Sequence, residues 1–314
     1  MEKIRIGISS CLLGEQVRYD GGHRWDRYIT ETLGQYLEFV PVCPEVELGL
    51  GVPREAMRLV GDPAAPRLVT VRTGVEHTEA MARWASRRVQ ELEPENLCGF
   101  IFKSGSPSSG MGGVKVCGPQ GIPVKRGVGI FARVFMEHFS LLPVIDEARL
   151  HDPDRRENFI ERVFVFARWR ELLQHPSLGG LVSFHTRHKL LILAHSLRHH
   201  RLLGNLVARA RELSLKEAHG QYQTMLQEAL LFKATPRKHI NVLHHLLGYF
   251  TKDLTADEKQ ELLELIEQYR RGAVPLLVPL TLINHYVRKY GQGYLKEQFY
   301  LNPHPLELQL RHHA

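Results

Sequence analysis

An open parallel sheet followed by an all-helical half is the fold class that this 314-residue sequence predicts. Three observations carry it. Short β-branched or aromatic runs alternate with helical periods through the first half of the chain. From about residue 155 the strand signals stop and long helical periods take over. Three of the four cysteines follow strand-like runs, each run ended by Gly, Pro or Ser. Alternation of this kind means a Rossmann-like α/β sheet with helices on both faces, here joined to an all-α C-terminal domain.

The first strand is expected over 4–9, Ile4-Arg5-Ile6-Gly7-Ile8 and its continuation, with Cys11 just beyond it. An amphipathic stretch over 25–36 leads to a second strand over 38–43, closed by Cys43. Residues 45–66 hold Gly49, Gly51, Pro53, Gly61, Pro63 and Pro66 and read as one long loop. Residues 67–72 alternate and read as an extra strand at an edge. A helix over 78–92 precedes a strand over 99–103, which opens into a Ser/Gly loop. A helix over 127–139 and a short strand over 142–145 complete a first domain of residues 1–155.

A helical connector is expected over 156–174, and a basic all-α domain over 175–314. The helical periods of that domain run over 181–199, 202–212, 214–231, 236–249, 255–271 and 276–290. Thr255-Ala256-Asp257-Glu258 is a capping box.

Charge separates the two halves. Residues 1–174 hold 23 basic and 23 acidic side chains, whereas residues 175–314 hold 18 basic and 11 acidic. The whole net charge of +7 therefore lies in the second half, with 14 of the 18 histidines. A neutral half joined to a basic one points to a polyanionic substrate held by the second half; the plain alternative is a basic helical domain and no more. No apolar run reaches transmembrane length, and Met1-Glu2-Lys3-Ile4 leads straight into a strand without a signal peptide, so a cytoplasmic protein with no membrane partner is expected. Four cysteines in a reducing compartment read as ligands, nucleophiles or core residues, not as a disulfide scaffold.

Ligands of open α/β sheets bind at the carboxyl ends of the strands, so Cys11, Cys43 and Cys117 are expected to meet at one crevice. Three thiolates without a fourth point to a metal centre with one open coordination position. Cys98 lies at the start of its strand and reads as a buried thiol. Glu45, two residues after Cys43, could reach the same crevice as a general base, or be a solvated loop carboxylate. Lys103-Ser104-Gly105-Ser106-Pro107-Ser108-Ser109-Gly110 is rich in donors suited to an anion or a cluster sulfur, and it lacks the Gly-Lys-Ser/Thr ending of a P-loop. Arg18 and Asp20 read as a surface turn or as part of the crevice. His185, His188, His195 and His199 are spaced to share one helical face. With Lys189 beside them, and with Lys233, Arg237 and Lys238 further on, they fit RNA contact better than metal binding; satisfied core histidines are the alternative.

These motifs resemble a known family. Cys11-Leu-Leu-Gly with Val17-Arg-Tyr-Asp-Gly-Gly, Cys43-Pro-Glu-Val with Gly51-Val-Pro-Arg-Glu-Ala, and the serine loop from Lys103 are similar to the thiouracil desulfidases. Residues 181–310 resemble a helical domain of the YbgA type often fused to them, through Phe184-His-Thr-Arg-His-Lys, Ala194-His-Ser and the ending from Tyr300 to Leu308.

The resemblance implies a [4Fe–4S] cluster on three cysteines, whose remaining iron is free for substrate sulfur. Cys11 and Cys43 carry over as ligands. Ser109 stands where the family commonly has its third cysteine, which makes Cys117 the replacement and Cys98 the fallback. Glu45 carries over as the acid/base, and Ser106 as a serine beside the substrate. Lys103, Ser104, Ser108, Ser109 and Arg18 would complete the substrate site. The implied reaction converts 4-thiouridine in tRNA, or free thiolated pyrimidines, to the oxo form with release of sulfide and no net redox change. An RNA-binding module with a purely structural cluster is the alternative from another class.

Overall fold

The structure is a computed structural model that describes residues 3–118, 122–305 and 308. Met1, Glu2 and part of the ending from Tyr300 to Leu308 lie outside the described residues. The chain divides into two compact units, Met1–Phe159 and Ile160–Ala314.

The first unit is built on a four-stranded parallel sheet in the order β2-β1-β5-β8. Its strands are β1 (Ile4–Ser9), β2 (Leu37–Val42), β5 (Phe100–Phe102) and β8 (Val144–Asp146). Between them the chain forms helices α1 (Pro44–Glu47), α2 (Thr78–Leu92) and α3 (Ile130–His138). β5 is buried throughout, and Phe100 and Phe102 pack with Phe131 and Phe135 of α3 at ring-centroid distances of 4.5–6.2 Å. A strand without a polar face is what a parallel sheet covered by helices requires. The chain leaves β1 to one side for β2 and returns to its other side for β5. β1 therefore flanks the topological switch point, where open sheets bind ligands.

A second sheet departs from the expected fold. It is mixed, in the order β4-β3-β6-β7, from β3 (Met57–Val60), β4 (Arg67–Thr70), β6 (Val114–Cys117) and β7 (Pro123–Gly127). The stretch expected as one long loop thus contains α1 and β3. The extra strand expected at an edge over 67–72 forms as β4, at the edge of this second sheet and antiparallel to β3. Residues 123–127, in front of α3, are likewise a strand that the sequence reading lacked. The amphipathic stretch expected over 25–36 forms a π turn over Tyr28–Thr32 and a 3-10 turn over Leu33–Gln35.

The second unit is helical. α4 (Glu147–Leu150) follows β8 within the first unit, and α5 (Pro153–Gln174) begins there. Then come α6 (Leu178–His195), α7 (Leu197–Ala208), α8 (Leu215–Leu231), α9 (Pro236–Tyr249), α10 (Ala256–Arg270), α11 (Leu277–Lys289) and α12 (Gly293–Lys296). The boundary between the units falls within α5, and from Ile160 onward the helix belongs to the second, with Val165 and Trp169 in its core. The capping box at the start of α10 forms: Glu258 N–H donates to Thr255 Oγ1 and Thr255 N–H to Glu258 Oε2. Among the described residues no helix is long and apolar enough to cross a membrane.

Candidate functional site

A cavity of about 410 Å³ opens at the carboxyl ends of β1, β2 and β5, within the range of small-molecule sites. Each strand contributes one wall. The backbone N–H of Lys103, after β5, donates to Ser9 Oγ at the end of β1 at 2.9 Å and ties two walls together.

Beyond β1, a 3-10 turn over Ser10–Leu13 carries Cys11 into the cavity. Its carbonyl accepts from Arg24 N–H at 2.8 Å. Beyond β2, Cys43 precedes α1, and Glu47 Oε1 accepts its N–H at 2.9 Å. Both thiols are pushed up by burial, Cys11 to about 11 and Cys43 to about 12. Lys103 and Arg18 pull Cys11 down again in part, while the neighbouring Glu45 carboxylate raises Cys43 further. Both therefore stay protonated at neutral pH unless a cation displaces the proton.

Glu45 points into the same space. Ser108 Oγ donates to its Oε1 at 2.5 Å, the Cys43 thiol lies 3.7 Å from its Oε2, and Arg54 Nη2 stands 3.8 Å from that oxygen. Arg54 is itself fixed by donating to the carbonyl of Val17 at 2.9 Å.

The third wall is the serine loop after β5. Ser106 Oγ accepts the N–H groups of Ser108 and Ser109 at 3.3 and 3.1 Å, so its own proton is directed to Ser108 Oγ at 3.0 Å. The loop is pinned to α3, whose Ala132 N–H donates to the Ser108 carbonyl at 3.1 Å. Gly129 is needed there, because a Cβ would stand 2.4 Å from that carbonyl oxygen. Lys103 and Ser104 share one carboxylate. The Lys103 ammonium bonds Glu147, and Ser104 gives Glu147 its N–H at 2.6 Å and its hydroxyl at 2.7 Å. Burial opposes ionisation of Glu147, but these donors outweigh it and hold the carboxyl below the ordinary Glu value.

Of the residues singled out in the sequence, Cys11, Cys43, Glu45, Arg18, Lys103, Ser104, Ser106 and Ser109 line this cavity. Ser108 does not. It is completely buried behind the wall, so its expected substrate contact is replaced by its bond to Glu45. Cys117 does not line the cavity either. It ends β6 in the second sheet, pairs with Val60 and Pro123, and accepts Gly61 N–H through its carbonyl at 2.9 Å. The physical reason is that β6 does not belong to the sheet whose strand ends form the crevice. Cys98 is buried before β5, with its thiol 3.7 Å from the Asn96 carbonyl, at the opposite end of the sheet. Among the described residues, no three His, Cys, Asp or Glu side chains are grouped to hold a metal ion. Arg54 and Glu147 were missed. Arg54 lies within a motif quoted for the resemblance, while nothing local marked Glu147.

The histidines fall mostly in the helical core. His188 has no exposed surface, donates Nδ1–H to the Phe184 carbonyl at 2.7 Å and stacks on that ring, so it cannot touch RNA. Burial depresses its basicity to about 3. His195 is buried between Glu161 and the Phe232 carbonyl. α6 ends there, so His199 lies on a different helix and the expected single face is broken. His185 is half-buried against the Tyr222 hydroxyl at 3.1 Å, and Lys189 is half-buried over the Tyr294 ring. Lys238 serves the fold: its ammonium donates to the carbonyls of His195 and Lys233, both at 2.7 Å. Lys233 and Arg237 expose their side chains.

Residues 6–147 match the 2-thiouracil desulfurase family, and residues 189–305 match a family of unknown function, DUF1722. YbgA of Escherichia coli (strain K12), an uncharacterized protein, is 39% identical over 153 residues, covering 48% of this chain and 90% of YbgA. YbbK of Bacillus subtilis (strain 168), also uncharacterized, is 30% identical over 112 residues, covering 34% of this chain and 74% of YbbK. A solved structure of the [4Fe-4S]-dependent thiouracil desulfidase TudS is 28% identical, with a TM-score of 0.40 over 48% of this chain and 95% of that one.

Proposed function

The chain belongs to the family of YbgA, is related to YbbK as well, and joins a 2-thiouracil desulfurase domain to a DUF1722 domain; from that premise we propose that it hydrolyses the C–S bond of thiolated pyrimidines, 4-thiouridine in tRNA foremost. The observation that carries the reading is the meeting of Cys11, Cys43 and Glu45 at one switch-point cavity. The overall reaction is balanced by water alone. Water oxygen replaces sulfur on the ring carbon, and sulfur leaves as sulfide.

The donor set suits a [4Fe–4S] cluster. Cys11 and Cys43 are thiols buried beside Lys103, Arg18 and Arg54, whose charges offset the thiolates that such a cluster needs. These two residues would hold it, with a third donor from the cavity wall. A thiolate-bound iron with an open position supplies a soft Lewis acid that prefers thiocarbonyl sulfur to carbonyl oxygen.

The protein's own groups do the rest. Glu45, oriented by Ser108, takes a proton from the attacking water and returns one to the departing sulfur. Ser106 shapes the loop through its two accepted N–H bonds and feeds its proton to Ser108, so it is a positioning residue and not a nucleophile. Pro44, Pro107 and Tyr19 offer flat apolar surface to a pyrimidine ring. Arg18, whose guanidinium lies 5.4 Å from the Tyr19 ring centroid, places a cation at the cavity for a phosphate or a ring oxygen.

The basic helical unit favours a tRNA substrate over a free base. The test compares turnover of 4-thiouridine tRNA and of free thiouracil at two salt concentrations. The tRNA reading expects the tRNA rate to fall steeply with salt and the free-base rate to hold. Equal salt responses would leave the free base as the substrate.

A further inference from the structure

The cavity contains two thiols where a site-differentiated cluster needs three protein attachments. Cys11 and Cys43 stand at the ends of the adjacent strands β1 and β2. β5 pairs with β1 on its other side, and the loop after it supplies the third wall. That wall contains no cysteine. Cys117 lies on the second sheet and Cys98 at the far end of β5.

The hydroxyls of this wall are committed unequally. Ser106 Oγ accepts two N–H groups and pairs with Ser108. Ser108 Oγ donates to Glu45. Ser104 Oγ donates to Glu147. Ser109 is different. It is only 3% exposed, lines the cavity, and is held through its N–H by Ser106 Oγ at 3.1 Å. Its hydroxyl has no hydrogen-bond partner among the described residues. A serine whose backbone is fixed, whose surface is buried and whose oxygen is uncommitted is placed as a donor to something within the cavity.

We infer that Ser109 oxygen is the third attachment, so that Cys11, Cys43 and Ser109 hold the cluster with one donor from each of three strand ends. The inference rests on the desulfidase reading and concerns only how the cluster is held. On attachment the Ser109 O–H bond breaks, an Fe–O bond forms and the proton passes to solvent; no oxidation state changes. A serine oxygen is a harder donor than a thiolate. Cluster retention should therefore depend on Ser109, and exchange for sulfur should raise the cluster's reduction potential.

The test uses the full chain, purified anaerobically and reconstituted with ferrous iron and sulfide. Iron and acid-labile sulfide are measured per chain, together with the reduction potential, and circular dichroism checks each variant's fold. Cys117→Ala and Cys98→Ala are expected to match the parent in iron and sulfide. Ser109→Ala is expected to lose most of both while keeping the parent's helical spectrum. Ser109→Cys is expected to restore full content with an upward shift in potential. Loss of the cluster in Cys117→Ala with retention in Ser109→Ala would overturn the assignment, as would Ser109→Ala and Ser109→Cys both indistinguishable from the parent. Either result leaves the desulfidase reading standing. A parent that takes up no iron and sulfide would remove that reading and this inference together.

Discussion

Ser108, with no exposed surface, donates its hydroxyl to Glu45 at 2.5 Å across 63 residues of sequence. This bond joins the wall after β5 to the wall after β2 and aims the carboxylate that lies beside the Cys43 thiol. The proton of Ser106 is directed into the same chain, so two serines bear on the orientation of Glu45.

Ser108→Ala removes that donor and leaves Glu45 free to rotate. Hydrogen bonds to charged groups contribute about 1.5–3 kcal/mol, which corresponds to a loss of roughly 10- to 100-fold in kcat. KM should stay near the parent's, because the Ser108 side chain does not line the cavity. Steady-state kinetics on free thiouracil separates the two parameters.

Glu45→Gln keeps the shape of the site and removes its proton acceptor. Turnover should fall by roughly 10²-fold or more while the visible absorption of the cluster persists. Unchanged turnover would reduce Glu45 to a structural carboxylate.

Glu147 links pH to stability. Its folded-state pKa lies below the ordinary Glu value, so its contribution is present above that ordinary value and is lost as pH falls through the folded one. Thermal unfolding of the parent should therefore lose stability below about pH 4. Glu147→Gln should start less stable at neutral pH and show a shallower decline over the same window. Parallel melting curves for the two proteins would contradict this.

The basic residues of the helical unit divide by structure. Lys238 fastens the end of α6 to the segment before α9, so Lys238→Ala should lower the melting temperature. Lys233 and Arg237 are exposed, and their joint replacement by Ala should spare the melting temperature. It should weaken tRNA binding and flatten its salt dependence, since each lost phosphate contact lowers the slope by about one. Filter binding at several salt concentrations, with calorimetry, distinguishes the two roles.

The main sheet was legible because its strands are short, buried and β-rich, and residues just past parallel strand ends converge whatever their sequence separation. That rule brought Cys11, Cys43, Glu45 and the serine loop together. It misplaced Cys117 because β6 is a strand of only four residues, and nothing local tells which sheet such a strand joins. β3 escaped notice because glycines and prolines around it outweigh a four-residue run. The histidines misled for a different reason. Imidazole suits a core as well as a surface, and only the tertiary partners Phe184, Glu161 and Phe232 decide which. The Lys103–Glu147 pair joins residues 44 apart, and no local pattern announces it.

Release of sulfide from a thiolated pyrimidine tests the central claim most directly. The anaerobically reconstituted chain is incubated with 4-thiouridine tRNA in heavy-oxygen water, sulfide is quantified, and the nucleosides are read by mass spectrometry. The account expects one sulfide for each 4-thiouridine lost, uridine carrying the heavy oxygen, no requirement for a reductant, and no reaction in Cys11→Ala. A cluster-loaded chain that releases no sulfide from the tRNA or from free thiouracil would contradict it.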